Sequence, residues 1–362
     1  MRLAPEGLRS LARAIFRAAG SDEAEAAIVA DDLVEANLQG HDSHGVVLLP
    51  IYVRRQIAGE LRVNQHARFV RDDAPFAVVD GNLGFGQVIA REAMDWAIAT
   101  ARSGGIAVTA LRNTHHIGRV GAYGEQVCAA GLVSLHFVNV ISGQPVVASF
   151  GGRGGRFGTN PICIAVPGGP GQAPVILDFA TSAIAAGKVR VALNAGRQVP
   201  AGALIDAEGQ PTTEPGDFFN APRGALLPFG GHKGSGLALM CEILGGALTG
   251  AGTNQPATPK DGPTTNGMLS FVIDPARLCS TEAFQAELEA IIAHTRDSAP
   301  AVPGEAVLVA GEPERRRRRD RLAGGIPLDD RSWEEIREAA RSVAIPAGMV
   351  EAAILAGDGE AA

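Results

Sequence analysis

The chain has 362 residues, of which 46% are apolar and 20% are charged, so it can form a sizeable core and bulk disorder is excluded. This length predicts two or more subdomains. Its 39 acidic and 32 basic residues give a formal net charge of −7, opposite in sign to the charge of most proteins that bind nucleic acids or anionic membranes.

Targeting and metal-binding signals are missing from the sequence. Arginines at positions 9, 13 and 17 interrupt the apolar face of the first segment, which excludes a signal peptide there. The longest apolar stretch, residues 237–251, contains Glu242 and is too short to span a bilayer. The four cysteines form no CxxC pair and no zinc spacing. The sequence therefore predicts a cytoplasmic protein with reduced thiols, no metal site and no membrane or nucleic-acid partner.

The N-terminal part is predicted to be helical. Apolar residues at helical spacing mark a first helix around residues 8–16, and Ser21 is a suitable N-cap for a second. Gly40 can end the second helix in a left-handed turn. A third helix is expected to begin near Ser43 and to run through Tyr52 to residue 57, where Pro50 can introduce a bend.

From residue 75 onward, the pattern changes to strands that alternate with helices. Strands are predicted at residues 76–80, 106–111, 132–140, 162–166, 175–179 and 268–273. Helices are predicted at residues 87–102, 120–130 and 281–296, and a buried helix at residues 237–250. Residues 253–265 are predicted to be a loop. A last helix is expected to start with a capping box at residues 332–335.

This order of elements predicts an α+β fold in two parts. Because chain termini often lie close together, residues 1–75 and 315–362 are expected to form one helical subdomain. Residues 76–314 would form a mixed α/β region that binds cofactor and substrate. The arginine run at residues 315–319 is expected to face solvent.

His44 is the first candidate catalytic residue. If a helix begins at Ser43, the positive end of its dipole favours a neutral imidazole and attracts anions. A neutral histidine beside a bound carboxylate suits acid–base chemistry near neutral pH. The alternative, in which Asp42 and Ser43 only cap the helix and His44 fills a polar corner, stays open.

His115 and His116 lie in a loop that follows a predicted strand, a common place for functional residues. Adjacent side chains point in different directions, so at most one of the two is expected to be catalytic. No carboxylate lies at a ligand spacing, so the pair does not predict a metal site.

Asp178 ends an apolar strand, where an ionised carboxylate needs a partner, and a histidine that it orients is one candidate. The following Ala180, Thr181 and Ser182 offer backbone amides and hydroxyls to a ligand. A turn that is capped by these side chains explains the segment equally well.

His232 and Lys233 follow two glycines and precede a predicted helix. Close-approach glycines, a lysine and a helix N-terminus form an anion cradle, with a tight flexible loop as the alternative. The spacing of a P-loop is absent, and so is the G-x-G-x-x-G sequence of Rossmann dinucleotide sites. The absence of G-x-S-x-G weakens a hydrolase interpretation.

Six blocks in order along the chain resemble one family. They are GHDSHG, NTHHIGRVG, FGTNPICIAVP, LDFATSAIAAGK, LLPFGGHKGSGLALMCEILGGALTGA and GEPERRRRRDRLAGGIPLD. They resemble the malate/L-lactate dehydrogenase family that lacks a Rossmann fold, which also includes ureidoglycolate, sulfolactate and diketogulonate enzymes. The HHIGR, ATSAIA and MCEILGGALTG segments are most similar to its hydroxycarboxylate dehydrogenase B type. The resemblance implies a homodimeric oxidoreductase that acts on 2-hydroxy and 2-oxo acids with NAD or NADP.

The resemblance also implies roles for individual residues. His44 matches a proposed proton donor with Ser43 and Asp178 as relay partners, whereas His116 matches a histidine that is the acid–base group in some members. The choice between the two histidines stays open. The residues that the resemblance assigns to cofactor binding are Gly118, Arg119, Val120, Asp178, Phe179, Ala180, Thr181, Ser182, His232, Lys233, Gly311, Glu312 and Pro313.

Two departures from the family pattern bear on the substrate. Leu48 stands where many members carry an arginine suited to a substrate carboxylate, which argues against malate and favours a 2-oxo acid with an apolar or aromatic tail. Arg119 stands where many members carry a small residue, and it is expected to hold either the substrate carboxylate or the cofactor pyrophosphate. Malate, lactate or ureidoglycolate chemistry remains an alternative. A catalytically inactive ligand-binding homologue is another, against which the retained histidines and Lys233 argue.

Overall fold

The computed structural model describes residues 1–141, 143–194, 196–259 and 262–354. The α-helices of these residues are α1 (Pro5–Ala18), α2 (Glu23–Leu38), α3 (Leu49–Ile57), α4 (Gly86–Gly104), α5 (Gly121–Ala129), α6 (Ala186–Asn194), α7 (Gly216–Phe219), α8 (His232–Cys241), α9 (Thr281–Arg296), α10 (Glu312–Gly324), α11 (Asp330–Ser342) and α12 (Ala347–Glu351). The strands are β1 (Arg2–Leu3), β2 (Arg68–Asp73), β3 (Phe76–Asp80), β4 (Ile106–Thr114), β5 (Val133–Ile141), β6 (Val147–Ala148), β7 (Gly155–Phe157), β8 (Ile162–Val166), β9 (Val175–Phe179), β10 (Leu204–Ile205), β11 (Pro211–Thr212), β12 (Ala225–Leu226), β13 (Thr265–Ile273) and β14 (Ile326–Pro327).

Both ends of the chain share one hydrophobic core. Strand β1 pairs antiparallel with β14, and the apolar faces of α1, α2 and α3 pack with that of α11. Phe16 from the N-terminal end and Trp333 from the C-terminal end are both buried in this core. Strand β2 pairs with β3 in a hairpin that spans the expected boundary at residue 75, so β2 belongs to the sheet region.

A mixed seven-stranded sheet forms the centre of the described chain. Its strand order is β2-β3-β4-β13-β5-β8-β9, and every pair except β3–β4 is antiparallel. Helices α4 and α5 cover one face, where Met94, Val127 and Met268 are buried together. A sheet that is largely antiparallel cannot be a Rossmann sheet, so the expected α+β fold is confirmed.

A smaller five-stranded sheet has the order β11-β10-β12-β6-β7 and packs with α6 and α7 around its own small core. The sequence analysis missed these strands. Each is only two or three residues long, which is too short for an alternating pattern to be recognised.

Regular periodicity located most of the longer elements. The bounds predicted for β3, β8, β9 and α9 agree with the structure. Gly40 follows α2 with φ +86°, which confirms the left-handed turn.

Several expectations about helix ends are wrong. Asp22, rather than Ser21, caps α2 by accepting a hydrogen bond from the backbone N–H of Glu25, and Asp329 caps α11 in place of the box at residues 332–335. The segment from Asp42 to Leu48 forms two 3₁₀ turns, so α3 begins only at Leu49. His44 therefore does not lie at the N-terminus of an α-helix, and the dipole argument made for it does not apply.

The helix predicted at residues 237–250 is not fully buried in the single chain. Helix α8 continues as a π-helical segment, Glu242–Ala247, and one side of this continuous helix is exposed. Leu239, Ile243 and Leu248 lie on the exposed side, and Leu248 is 64% exposed. None of the described helices is long and apolar enough to cross a membrane.

The arginine run lies on α10. Arg316, Arg317, Arg318 and Arg319 are exposed as expected. Arg315 is half-buried instead, because its guanidinium donates to the backbone oxygen of Pro174 at 2.9 Å.

Candidate active site

The imidazole rings of His44 and His116 lie side by side. Their centroids are 5.6 Å apart and the ring planes differ by 24°. His44 belongs to the 3₁₀ turn Asp42–His44, and His116 to the loop between β4 and α5. Both side chains are partly exposed, and within the described residues Nε2 of neither ring has a hydrogen-bond partner. Each of these two neighbouring rings therefore keeps one nitrogen available to a ligand.

The turn that carries His44 is held from two sides. The Asn37 side chain accepts a hydrogen bond from the backbone N–H of Val46 at 2.8 Å and donates one to the Asp42 carboxylate at 2.7 Å. Arg321 donates to the same carboxylate. A β-carbon at Gly45 would overlap the Asn37 side chain, so only glycine fits between these contacts.

Ser43 and Asp178 have different relations to the candidate histidines. The Ser43 hydroxyl lies 3.1 Å from Nδ1 of His44. The Asp178 carboxylate accepts a hydrogen bond from the backbone N–H of Gly121 at 2.7 Å, at the first residue of α5. Among the described residues no hydrogen bond joins Asp178 to a histidine, so the expected histidine partner is not found. Strand β9 ends against the positive end of α5, which stabilises the carboxylate instead.

His116 is anchored through its other ring nitrogen. Nδ1 lies 2.7 Å from the hydroxyl of Tyr52 and 3.3 Å from the backbone nitrogen of Gly118. The Tyr52 oxygen accepts a hydrogen bond from the Gln87 side chain at 3.0 Å. The neighbouring His115 packs its ring edge against Tyr52 instead and is buried.

Desolvation favours the neutral form of both candidate histidines, although part of each residue's surface is exposed. Desolvation, helped by the charge of Arg119, lowers the pKa of His44 to about 4. Desolvation, helped by His44 and His115, lowers the pKa of His116 well below its usual value. At pH 7 both rings are therefore neutral in the free protein.

A pocket of about 390 Å³ brings together residues from distant motifs. Arg119, Asp178, Gly311 and Pro313, all expected to bind cofactor, line it. Other residues that line it are Glu35, Gln39, His41, Glu125, Pro174, Ile176, Leu177, Ala310, Glu314, Arg315 and Arg318. The pocket therefore combines guanidinium groups and carboxylates with an apolar wall.

The charges around Arg119 are closely paired. Its buried guanidinium lies 2.5 Å from the Glu125 carboxylate. Desolvation raises the pKa of Asp178 to about 6, although the positive charge of Arg119 acts in the opposite direction. Arg119 thus has a protein partner on one side and lines the pocket on the other.

His232 and Lys233 lie elsewhere, at the exposed start of α8. The preceding Gly230 and Gly231 line a second cavity of about 620 Å³, with Phe150 and Arg153 opposite. Asp178 lines the first cavity, and Ala183, five residues later in the chain, lines the second.

Several residues expected at the cofactor site use their side chains within the protein. The Thr181 hydroxyl donates to backbone oxygens of Thr159 and Asn160, and the Ser182 hydroxyl to that of Ile184. Val120 is buried in the sheet core, and the ring of Phe179 packs against that of Phe229. The Glu312 carboxylate accepts hydrogen bonds from Arg296 and from the backbone N–H of Val309. A ligand could therefore meet these residues mainly through their backbone.

Sequence reasoning missed Asn37, Tyr52, Gln87 and Arg321. Tyr52 was recognised only as part of an apolar helical stripe, and no local pattern marks the other three. No group of three or more His, Cys, Asp and Glu side chains in the described ranges is arranged to hold a metal ion.

Known proteins similar to this chain match it over nearly its whole length. Residues 3–337 match the family described as malate/L-lactate dehydrogenase. Hydroxycarboxylate dehydrogenase B of Escherichia coli (strain K12) is 46% identical over 353 residues, which cover 97% of each protein. L-lactate dehydrogenase of Cupriavidus necator is 39% identical and covers 96% of this chain and 99% of its own. The solved structure of sulfolactate dehydrogenase from Methanocaldococcus jannaschii has a TM-score of 0.85 and 33% identity, covering 97% of this chain and 99% of that one.

Proposed function

Because the chain belongs to the malate/L-lactate dehydrogenase family, as its six sequence blocks indicated, we propose that it interconverts 2-oxo and 2-hydroxy acids with NAD or NADP. The general reaction, oxidoreduction of 2-hydroxy acids, follows from the family and from relatives that are hydroxycarboxylate and L-lactate dehydrogenases. The single observation that carries the proposal is the pair of neighbouring neutral rings, His44 and His116, whose Nε2 atoms have no hydrogen-bond partner among the described residues.

In the reduction direction, a hydride and a proton convert the 2-oxo group to a hydroxyl. The reduced nicotinamide supplies the hydride to C2 when it is bound. One histidine gives the proton to the oxygen on C2, and in the oxidation direction it takes that proton back. A bound substrate carboxylate raises the low pKa of His44, which brings its proton transfer closer to neutral pH.

The residues of the 390 Å³ pocket fit a dinucleotide. Arg119, Arg315 and Arg318 line it with guanidinium groups, which bind phosphates through paired hydrogen bonds, and Ile176 offers an apolar wall for a ring. Arg119 and Arg318 are also paired with Glu125 and Glu35, so a bound phosphate would share these guanidinium groups with protein carboxylates. Asp178 lines this pocket and Ala183 lines the second cavity, so the two cavities border the same short segment of chain. The choice between NAD and NADP is left to measurement with both.

For the substrate, we infer a preference for apolar or aromatic 2-oxo acids. Leu48 follows His44 in the same pair of 3₁₀ turns and is partly buried against the helical core. It offers no charge to a second carboxylate, and each methylene buried against it is worth about 0.8 kcal/mol. Arg119 remains the candidate cation for either the substrate carboxylate or the pyrophosphate. If Arg119→Ala raises KM for the oxo acid alone, Arg119 binds the substrate carboxylate. If it raises KM for the dinucleotide alone, Arg119 binds the pyrophosphate.

A homodimer is also part of the proposal. The exposed side of the long helix carries Leu239, Met240, Ile243 and Leu248, an apolar strip that suits a partner surface. Light scattering at micromolar concentration should give twice the mass of the chain. Leu248→Glu should shift the protein toward monomer, whereas Leu278→Glu, at a 78% exposed position outside the strip, should not.

The test of the function is a panel of pyruvate, oxaloacetate and phenylpyruvate with NADH and with NADPH, followed by loss of dinucleotide absorbance. Turnover of at least one acid is expected, with the highest kcat/KM for phenylpyruvate. Oxaloacetate as the best substrate would contradict the role of Leu48. Dinucleotide binding without any turnover would instead favour the inactive ligand-binding homologue.

A further inference from the structure

The hydrogen bonds at His116 determine where its proton lies. A backbone N–H can only donate, and that of Gly118 points at Nδ1 from 3.3 Å. The Tyr52 hydroxyl is the second neighbour of Nδ1, at 2.7 Å. Nδ1 must therefore present its lone pair, and the neutral ring carries its proton on Nε2.

The hydrogen bonds of the Tyr52 hydroxyl also indicate that the His116 proton lies on Nε2. The Tyr52 oxygen accepts a hydrogen bond from Gln87, which leaves the hydroxyl proton free for His116. Both side chains are fully buried. Burial raises the pKa of Tyr52 far above its usual value, so the hydroxyl keeps its proton at any working pH. In this arrangement Gln87 donates to the Tyr52 oxygen, and the Tyr52 hydroxyl donates to Nδ1 of His116.

His44 has a different neighbour. Its Nδ1 lies 3.1 Å from the Ser43 hydroxyl, which can donate to a neutral ring or accept from a protonated one. The charge of Arg119 acts on His44, and the charges of His44 and His115 act on His116. Hydrogen bonding thus permits both protonation states of His44, whereas it disfavours a proton on Nδ1 of His116.

We propose that Tyr52 is a positioning residue that fixes His116 as the Nε2–H tautomer, so that His116 is a constant hydrogen-bond donor to the substrate oxygen while His44 exchanges the proton. In reduction, the C2–O double bond becomes a single bond as hydride adds to C2, and the oxygen takes the proton from Nε2 of His44. His116 keeps its own proton throughout. This inference rests on the proposed function and resolves the choice between the two histidines.

The tautomer can be measured without activity. In protein labelled with ¹⁵N-histidine, two-bond ¹H–¹⁵N correlation spectra distinguish the two neutral tautomers, and the resonances that His116→Gln removes identify the ring. At pH 7 the His116 ring is expected to carry its proton on Nε2 alone. A proton on Nδ1 would overturn the proposal, and this result needs only the wild-type fold.

Removal of the Tyr52 hydroxyl provides the second test, and the chain contains a matched control. Tyr52 and Tyr123 are its two tyrosines, and both are fully buried and hydrogen-bonded. The Tyr123 hydroxyl donates to the backbone oxygen of Ile117, at 2.5 Å, rather than to a histidine ring. Tyr52→Phe and Tyr123→Phe therefore delete the same group with similar structural effects, but only the first changes a neighbour of Nδ1.

Tyr52→Phe should lower kcat by about 10–100-fold, as loss of a residue that orients a functional histidine does, and should leave the dissociation constant of NADH within about twofold. Its His116 resonances should show a mixture of tautomers. Tyr123→Phe should keep kcat within about threefold and a single tautomer. Equal losses of kcat in both variants, or an unchanged tautomer in Tyr52→Phe, would overturn the proposal. If the wild-type protein turns over no 2-oxo acid, the proposed function fails, whereas the NMR result still decides the role of Tyr52.

Discussion

Arg321 near the C-terminal end of α10 holds Asp42, 279 residues earlier in the chain, through two hydrogen bonds. Its guanidinium nitrogens lie 2.5 and 3.0 Å from the two carboxylate oxygens of Asp42, and it also donates to the backbone oxygen of Asn37. Asp42 begins the 3₁₀ turn that ends with His44. Helix α10 also starts beside Gly311, which lines the 390 Å³ pocket. One helix therefore connects the proposed cofactor pocket to the turn that carries the candidate catalytic residue His44.

Loss of this contact should affect the chemistry of His44. Arg321→Met is expected to lower kcat about tenfold, because the turn loses its anchor, and to lower the free energy of unfolding by about 1.5–3 kcal/mol, the value of a hydrogen bond to a charged group. Arg319→Met, at an exposed position on the same helix, is the control and should match wild type. Steady-state kinetics and urea unfolding provide the measurements. Equal kinetics of the two variants would show that Arg321 does not support the site.

Replacement of the candidate histidines should separate chemistry from binding. His44→Ala and His116→Ala are each prepared, and at least one should reduce turnover by about 10²–10⁴-fold, the usual contribution of a positioned acid–base group. NADH should still bind, since the guanidinium groups of the pocket are unchanged. Fluorescence titration measures the binding, and rapid assays measure the turnover. Near-normal turnover in both variants would show that the proposed mechanism is wrong.

Restoration of a cation at position 48 should change the substrate preference. Leu48→Arg is expected to raise kcat/KM for oxaloacetate relative to phenylpyruvate by about tenfold or more, because the second carboxylate gains a partner and the apolar wall is lost. Ile57→Arg, at a 69% exposed position on α3, adds the same charge away from the turns and should leave the ratio unchanged. Competition between the two acids in one assay measures the ratio directly. A ratio that stays constant in both variants would remove Leu48 from the substrate site.

Asp32 should make stability depend on pH. Burial raises its pKa from 3.8 to about 6, and Arg91, at 3.8 Å, does not offset this cost. The folded state therefore binds more protons than the unfolded state between these two pH values, so this group lowers stability as pH rises from about 4 to 6. Above about pH 7 the loss of folding free energy is constant, at up to about 3 kcal/mol.

Asp32→Asn should remove this cost. The variant should be more stable than wild type at pH 8, and the difference should shrink to nearly zero toward pH 4. Asp31→Asn, at the exposed neighbouring position, changes the same charge and should alter stability by less than about 1 kcal/mol. Urea unfolding at a series of pH values measures both. A constant difference between Asp32→Asn and wild type across this range would contradict the buried-carboxylate explanation.

Elements with local signals could be predicted from the order of amino acids alone. Strands β8 and β9 and helix α9 have their predicted bounds because the spacing of apolar side chains repeats within a few residues. The same local information located the loops of His44 and His116, and the order of six blocks pointed to the family. Where neighbouring residues compete for one role, as Ser21 and Asp22 do for the cap of α2, the local signal was insufficient.

Which of these residues meet depends on how the helices pack against the sheet. Tyr52 looks like one more apolar position on α3, and it becomes the partner of His116 because α3 packs beside the loop after β4. Asp178 looked like the partner of a histidine, but the end of β9 faces the start of α5, where the Gly121 N–H satisfies its carboxylate. Each of these hydrogen bonds joins residues that are distant in the chain. Their geometry depends on how helices and sheet pack together, and short-range spacing contains no record of that packing.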